Sequence, residues 1–197
     1  DGLEVAFRSI LDEQAGIDHQ GNGLAVLGDA GLAAQRLILF LPARAQPALL
    51  RAEVVSPGVW ALVGPIGGPS RDNHALNATY GVLATPEGTV LIDSGASAQG
   101  AKLLAAMAQQ LTGQPVRWVI NTGSQHHRWL GNSALRQSGA QVIAHRRTVQ
   151  TQSAGAAAQI AELTTLLGDR IEGTQPLHAQ RIVDGARSEL TLGGLRI

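Results

Sequence analysis

Cysteine is absent from this chain of 197 residues. That removes disulfides, thiolate zinc sites and cysteine nucleophiles together, so any metal would have to rest on His, Asp or Glu. Aromatic residues make up only 3% of the sequence, too few for the stacking platforms of single-strand nucleic-acid binders. Neither sign of charge dominates: 15 Lys+Arg stand against 15 Asp+Glu, so there is no basic excess to recruit nucleic acid. No apolar run approaches the roughly 18 residues that a membrane-crossing helix needs. At 44% hydrophobic residues the chain can bury one full core, and one domain is expected.

The first 45 residues form a poorly defined segment. Val5 to Leu11 could start a helix, but Gly16, Gly21, Gly23, Gly28 and Gly31 then interrupt any period. The stretch from Arg36 to Pro47 has the parts of a secretory signal's end: a basic residue, a short apolar run, Pro42, and Ala43-x-Ala45 before Gln46. Read that way, the mature protein starts at Gln46 and is periplasmic or secreted. Read as an ordinary buried strand or helical turn, the same stretch leaves a cytoplasmic protein. Because the chain begins at Asp1 rather than Met and stops at Ile197 just after a strand-like run, it is expected to be a fragment.

Residues 46–197 are patterned as one incomplete domain. Val54-Val55, Val59 to Val63, Gly81 to Ala84 and Thr89 to Ile92 read as an antiparallel meander, with turns at Ser56-Pro57-Gly58 and Pro86-Glu87-Gly88. Apolar residues at helical spacing (Ala101, Leu104, Ala105, Ala108, Leu111) follow, with Ser97 as N-cap and Gly113 just past the end. A strand from Val116, a short helix over Ser133 to Gln137, a strand from Gln141 to His145 and a long helix from Thr148 to Leu167, weak at Gly155, come next. Arg181 to Val183, Ser188 to Leu192 and Leu195 to Ile197 read as closing strands, the last two joined by Gly193-Gly194. The order implies a layered α/β protein.

The chemistry is expected where the run from Val116 to Ile120 turns polar at Asn121, because loops at the carboxyl ends of strands are where α/β proteins place ligands. There the sequence continues Asn121-Thr122-Gly123-Ser124-Gln125-His126-His127-Arg128-Trp129-Leu130-Gly131-Asn132. This stretch resembles the metallo-β-lactamase fold family, in which a strand ending in Asn-Thr is followed by H-x-H-x-D-H and then Gly-Asn. Laid on without gaps, the Asn-Thr and Gly-Asn frame is kept, while Gly123 stands at the first histidine, Gln125 at the second, His127 at the aspartate and Arg128 at the last histidine. Val59 to Gly64 and Ile92-Asp93-Ser94-Gly95 match the family's opening strand and its Ile-Asp-Thr-Gly loop, in the same order.

The resemblance implies an αββα layered sandwich, of which this chain holds the N-terminal half only. It further implies a zinc-dependent hydrolase for a small-molecule substrate, with a degenerate metal site and with a later His, a bridging Asp and a final His contributed by a second half. In that family a metal-bound hydroxide attacks a carbonyl, ester or phosphoester. The other class to consider is a catalytically inactive binding protein that kept the fold.

His127 and His126 are the candidate metal ligands, since neutral imidazole binds zinc. They read equally as polar loop histidines bonded to backbone. On an extended loop their side chains should point apart, leaving at most one for a given ion. Asp93, Asn121 and Gln125 are expected around the metal rather than on it, with Asp93 also readable as a turn cap. Arg128 repels a divalent ion and is expected to hold a substrate carboxylate or to pair with Asp93. His19, His74, His145 and His178 are isolated. The loop from Gly64 to Asn73 is expected on the surface, and Ser124 lacks the G-x-S-x-G elbow of a serine hydrolase.

Overall fold

Pro57-Gly58 turns the chain from strand β1 (Arg51–Ser56) into β2 (Val59–Val63), with Gly58 at φ 76 as the second turn position requires. The computed structural model describes residues 49–197, so the helix from Val5 and the signal-like stretch from Arg36 lie outside the described residues. Strands β3 (Thr79–Thr85) and β4 (Gly88–Ile92) complete the expected meander, and β1 to β4 pair antiparallel in order.

From β4 onward the connections change character. Helix α1 (Ala98–Thr112) carries the chain across to β5 (Val116–Asn121), which lies parallel to β4, as a parallel neighbour reached by a helical crossover must. The short helices α2 (His126–Trp129) and α3 (Asn132–Gln137) lead to β6 (Gln141–His145), parallel to β5. Helix α4 (Arg146–Leu167) and a 3-10 turn (Gly168–Ile171) lead to β7 (Arg181–Val183), parallel to β6. The result is a seven-stranded sheet in the order β1-β2-β3-β4-β5-β6-β7.

Alternation along the strands sorts side chains onto two faces. One face receives Leu62, Val82, Leu91, Val119 and Val142 and is covered by Ala101, Leu104 and Ala108 of α1 and by Leu135 of α3. The other receives Leu83, Val90, Ile92 and Ile143 and is covered by Leu190 and Leu192. Strand β4, buried on both faces, is correspondingly apolar in Val90, Leu91 and Ile92. Helix α1 forms where its caps dictate: Ser97 accepts from the Gly100 N–H, and Gly113 at φ 72 turns its own N–H back to Gln109.

Two expectations are corrected. The strand expected over Ser188 to Leu192 shrinks to β8 (Thr191–Leu192), which pairs with β9 (Leu195–Arg196) as a separate two-stranded sheet, Leu190 and Ile197 extending the exchange. A seven-stranded sheet with a separate hairpin among the described residues agrees with the expected N-terminal half of a layered sandwich. Helix α4 starts at Arg146 rather than Thr148, because the His145 ring accepts the Arg147 N–H at 3.1 Å and acts as the cap. Gly155, the expected weak point, lies inside the continuous α4.

Leu104 is fully buried between α1 and the sheet. Leu104→Ala should cost about 2–5 kcal/mol, read as a lower denaturant midpoint with an unchanged slope.

Candidate functional site

Strands β4 and β5 end side by side, and the chain beyond each is stitched to the other. The Asp93 N–H donates to the Ile120 carbonyl at 2.9 Å, extending the ladder by one bond. Asp93 itself sits at φ 63, a left-handed conformation that aspartate tolerates better than most residues. This bend turns its carboxylate onto the next loop, where it accepts from Thr122 N at 2.7 Å, from Thr122 Oγ1 at 2.7 Å and from Arg128 Nη1 at 3.2 Å.

Asn121 does the same from β5. Its Nδ2 donates to the Arg128 carbonyl at 2.8 Å and to Asn132 Oδ1 at 3.1 Å, while Asn132 Nδ2 donates back to Asn121 Oδ1 at 2.8 Å. Both asparagines are buried, so the exchange satisfies amides that water does not reach. Backbone bonds from Ser94 N to the Arg128 carbonyl and from Gly131 N to the Gly95 carbonyl bring the two loops together. A Cβ on Gly131 would run into the Ser94 carbonyl oxygen, which explains why this frame position holds glycine.

Helix α4 closes the loop from outside. Gln152 Nε2 donates to the Gly123 carbonyl at 3.1 Å and Gln159 Nε2 to the Ser124 carbonyl at 2.8 Å, while Trp129 Nε1 donates to Gln159 Oε1 at 3.0 Å. Trp129 is buried with Leu130, Leu163 and Leu167 and stacks on His178 with ring centroids 5.1 Å apart. Sequence reading missed Thr122, Trp129, Gln152, Gln159 and His178. For the two glutamines a signal existed, since residues seven apart share a helix face.

His126 and His127 are not on extended chain: they occupy the helical turn α2, with ring centroids 5.3 Å apart and edge to face. The expected opposite pointing therefore fails, because successive residues of a helix diverge by about 100° rather than alternating. Burial lowers the His127 imidazole to about 4, with His126 and Arg128 adding to the shift. Burial also lowers His126, opposed by Glu162. Both rings are thus held neutral at physiological pH, and among the described residues His126 Nδ1 is buried without a partner. Gln125 is exposed and caps α2 without a side-chain bond, its carbonyl accepting from Arg128 N at 2.8 Å.

Similarity to solved structures is found at the level of this architecture. A metallo-β-lactamase from Pontibacter korlensis superimposes with a TM-score of 0.52 at 18% identity over 75% of this chain and 58% of that one. The fold is that of the metallo-β-lactamases. A metallo-β-lactamase from Hirschia baltica gives 0.51 at 17% identity, with the same coverage of 75% and 58%. FIM-1 from Pseudomonas aeruginosa, solved in a mono-zinc form, gives 0.50 at 13% identity over 73% and 54%. The chain thus spans about 58% of the length of the first two. No family model and no curated protein matches the sequence.

Within this metallo-β-lactamase fold the donors among the described residues do not by themselves make a zinc site. Among the described residues no group of three or more His, Cys, Asp or Glu side chains converges. The loop offers two imidazoles where a stable site wants three or four protein ligands, and the Asp93 carboxylate is already occupied by Thr122 and Arg128. An open polar cleft of ≈ 360 Å³, lined by Gln99, Lys102, Gln137 and Glu172 among others, lies beside α1 and does not include the loop.

Two opposed pH dependences follow. Burial raises the Asp93 carboxyl from 3.8 to about 6, against the pull of its three donors. A raised acid contributes stability that is present below its ordinary value and lost as pH rises through about 6. The lowered His127 contributes stability that is present above 6.5 and lost as pH falls through about 4. Asp93→Asn should therefore make stability climb more steeply from about pH 4 to 6.5, and His127→Gln should flatten that climb, as read from denaturant midpoints across pH.

Proposed function

We propose that the chain is the histidine-loop part of a metal-dependent hydrolase of metallo-β-lactamase fold, acting on a small molecule. The observation that carries this reading is the pair of neutral, half-buried imidazoles of His126 and His127 at the carboxyl ends of β4 and β5, in a loop anchored by Asp93 and Asn121. In this reading zinc binds only in a longer parent protein, through His127 or His126 together with donors from beyond the span shared with the solved structures. Bound there, the ion would supply an activated water and polarise the scissile bond. Asn121, Asp93 and Gln125 position the loop, and export to the periplasm or outside the cell follows the signal-like stretch before Gln46.

A second reading, a catalytically inactive binding protein, is favoured by one contact: Arg128, at the family's last histidine position, is directed onto Asp93.

The 197-residue chain should retain no stoichiometric zinc after dialysis, as measured by elemental analysis. In the longer parent, His127→Ala should lower zinc occupancy and hydrolysis together, about tenfold or more in each. His145 follows Ala144, which pairs with Asn121, and caps the helix that closes the loop, so it is not the distant strand residue expected. Glu87→Ala, in the exposed turn at the opposite, amino end of β4, should leave occupancy and hydrolysis nearly unchanged. A parent that binds no metal and hydrolyses nothing would favour the binding protein.

A further inference from the structure

We propose that the Arg128 guanidinium is the resident cation of the histidine loop, neutralising Asp93 where a metal site would rely on a bound ion, and that Gly123 is its steric partner. The inference concerns charge and packing within the chain and stands apart from the hydrolase reading.

Burial separates this ion pair from the others. The Arg128 and Asp93 side chains are 26% and 6% exposed, whereas each partner in the other four pairs among the described residues is at least 39% exposed. Exposed pairs contribute little, but a carboxylate this deep needs a compensating charge. Arg128 supplies it: Nη1 donates to Asp93 Oδ2 at 3.2 Å and also to Thr122 Oγ1. The backbone of Arg128 is fixed at the same time, its N–H by the Gln125 carbonyl and its own carbonyl by Asn121 Nδ2 and Ser94 N. The side chain therefore starts from a held point and ends on a held carboxylate.

Its path runs over Gly123. A Cβ at 123 would come within 2.7 Å of Arg128 Cδ and 2.8 Å of Gln125 Oε1, so any side chain there must displace the arginine stem. Gly123 and Arg128 both depart from the family's histidine motif, and the geometry makes them one coupled change. An emptied first position admits the stem, and the filled last position delivers the charge. A permanent guanidinium also repels a divalent ion from the carboxylate it occupies.

Thermal unfolding of the 197-residue chain tests this. Arg128→Met keeps the stem and removes the charge, and at neutral pH it should lower Tm by roughly 5–10 °C. Adding Asp93→Asn to Arg128→Met should recover at least half of that loss. Neither EDTA nor excess zinc should move the Tm of the parent chain. Gly123→Val should lower Tm when Arg128 is present and have much less effect in an Arg128→Ala background. Should Arg128→Met fail to fold, a folded Asp93→Asn/Arg128→Met chain supports the proposal and an unfolded one counts against it. Additive effects in either pair, or a Tm that falls with EDTA or rises with zinc, would overturn it.

Discussion

Where β4 and β5 run out, the sheet ladder stops satisfying backbone groups, and the Asp93 carboxylate and the Asn121 amide take over that task. The geometry around the histidines depends on this handover. Thr122 is held at its N–H and hydroxyl, Arg128 at its guanidinium and carbonyl, and α2 is therefore fixed at both ends of a single turn. A helix of four residues has no stability of its own, since nucleation alone is unfavourable. Its persistence here comes from Asp93 just beyond β4, from side chains on β5 and α3, and from Gln152 and Gln159 of α4 closing over the outside.

The electrostatics of the same cluster follow from burial. Asp93 is too deep to ionise freely and is held charged by its donors, while His127 is kept neutral by loss of water and by neighbouring positive charge, and His126 is lowered by loss of water against the pull of Glu162. A loop whose carboxylate is already matched by arginine has a different charge balance from one whose aspartate and histidines await a cation. The metallo-β-lactamase fold is thus found here with its loop anchored internally, and the fold by itself prescribes no particular chemistry.

Much of the architecture was legible because local signals agreed with it. The Pro57-Gly58 turn, the Ser97 and Gly113 caps of α1 and the buried run of β4 are each dictated within a few residues, and each is found where expected. Misreadings came from an unusual local partner and from partners distant in sequence. The start of α4 moved because a histidine caps it, a role for which serine, threonine, aspartate and asparagine are the usual signals. His178 looked isolated, yet it lies face to face with Trp129 across 49 positions of sequence that the fold brings together.

By itself, the sequence bounded the chemistry open to this protein: with no cysteine, thiolate ligands and nucleophiles were excluded, and the adjacent histidine pair after Asn121-Thr122 marked where to look. It also determined the order of elements, because turn residues and apolar periods act over short range. The tertiary structure alone decided which of those residues meet. Whether Arg128 faced a substrate or Asp93, and whether the two histidines pointed apart or lay on one helical turn, depended on a left-handed bend at Asp93 and a bare position at Gly123. Neither is visible in periodicity, because contact between residues 35 apart is set by how β4 and β5 pair and by what space their ends leave.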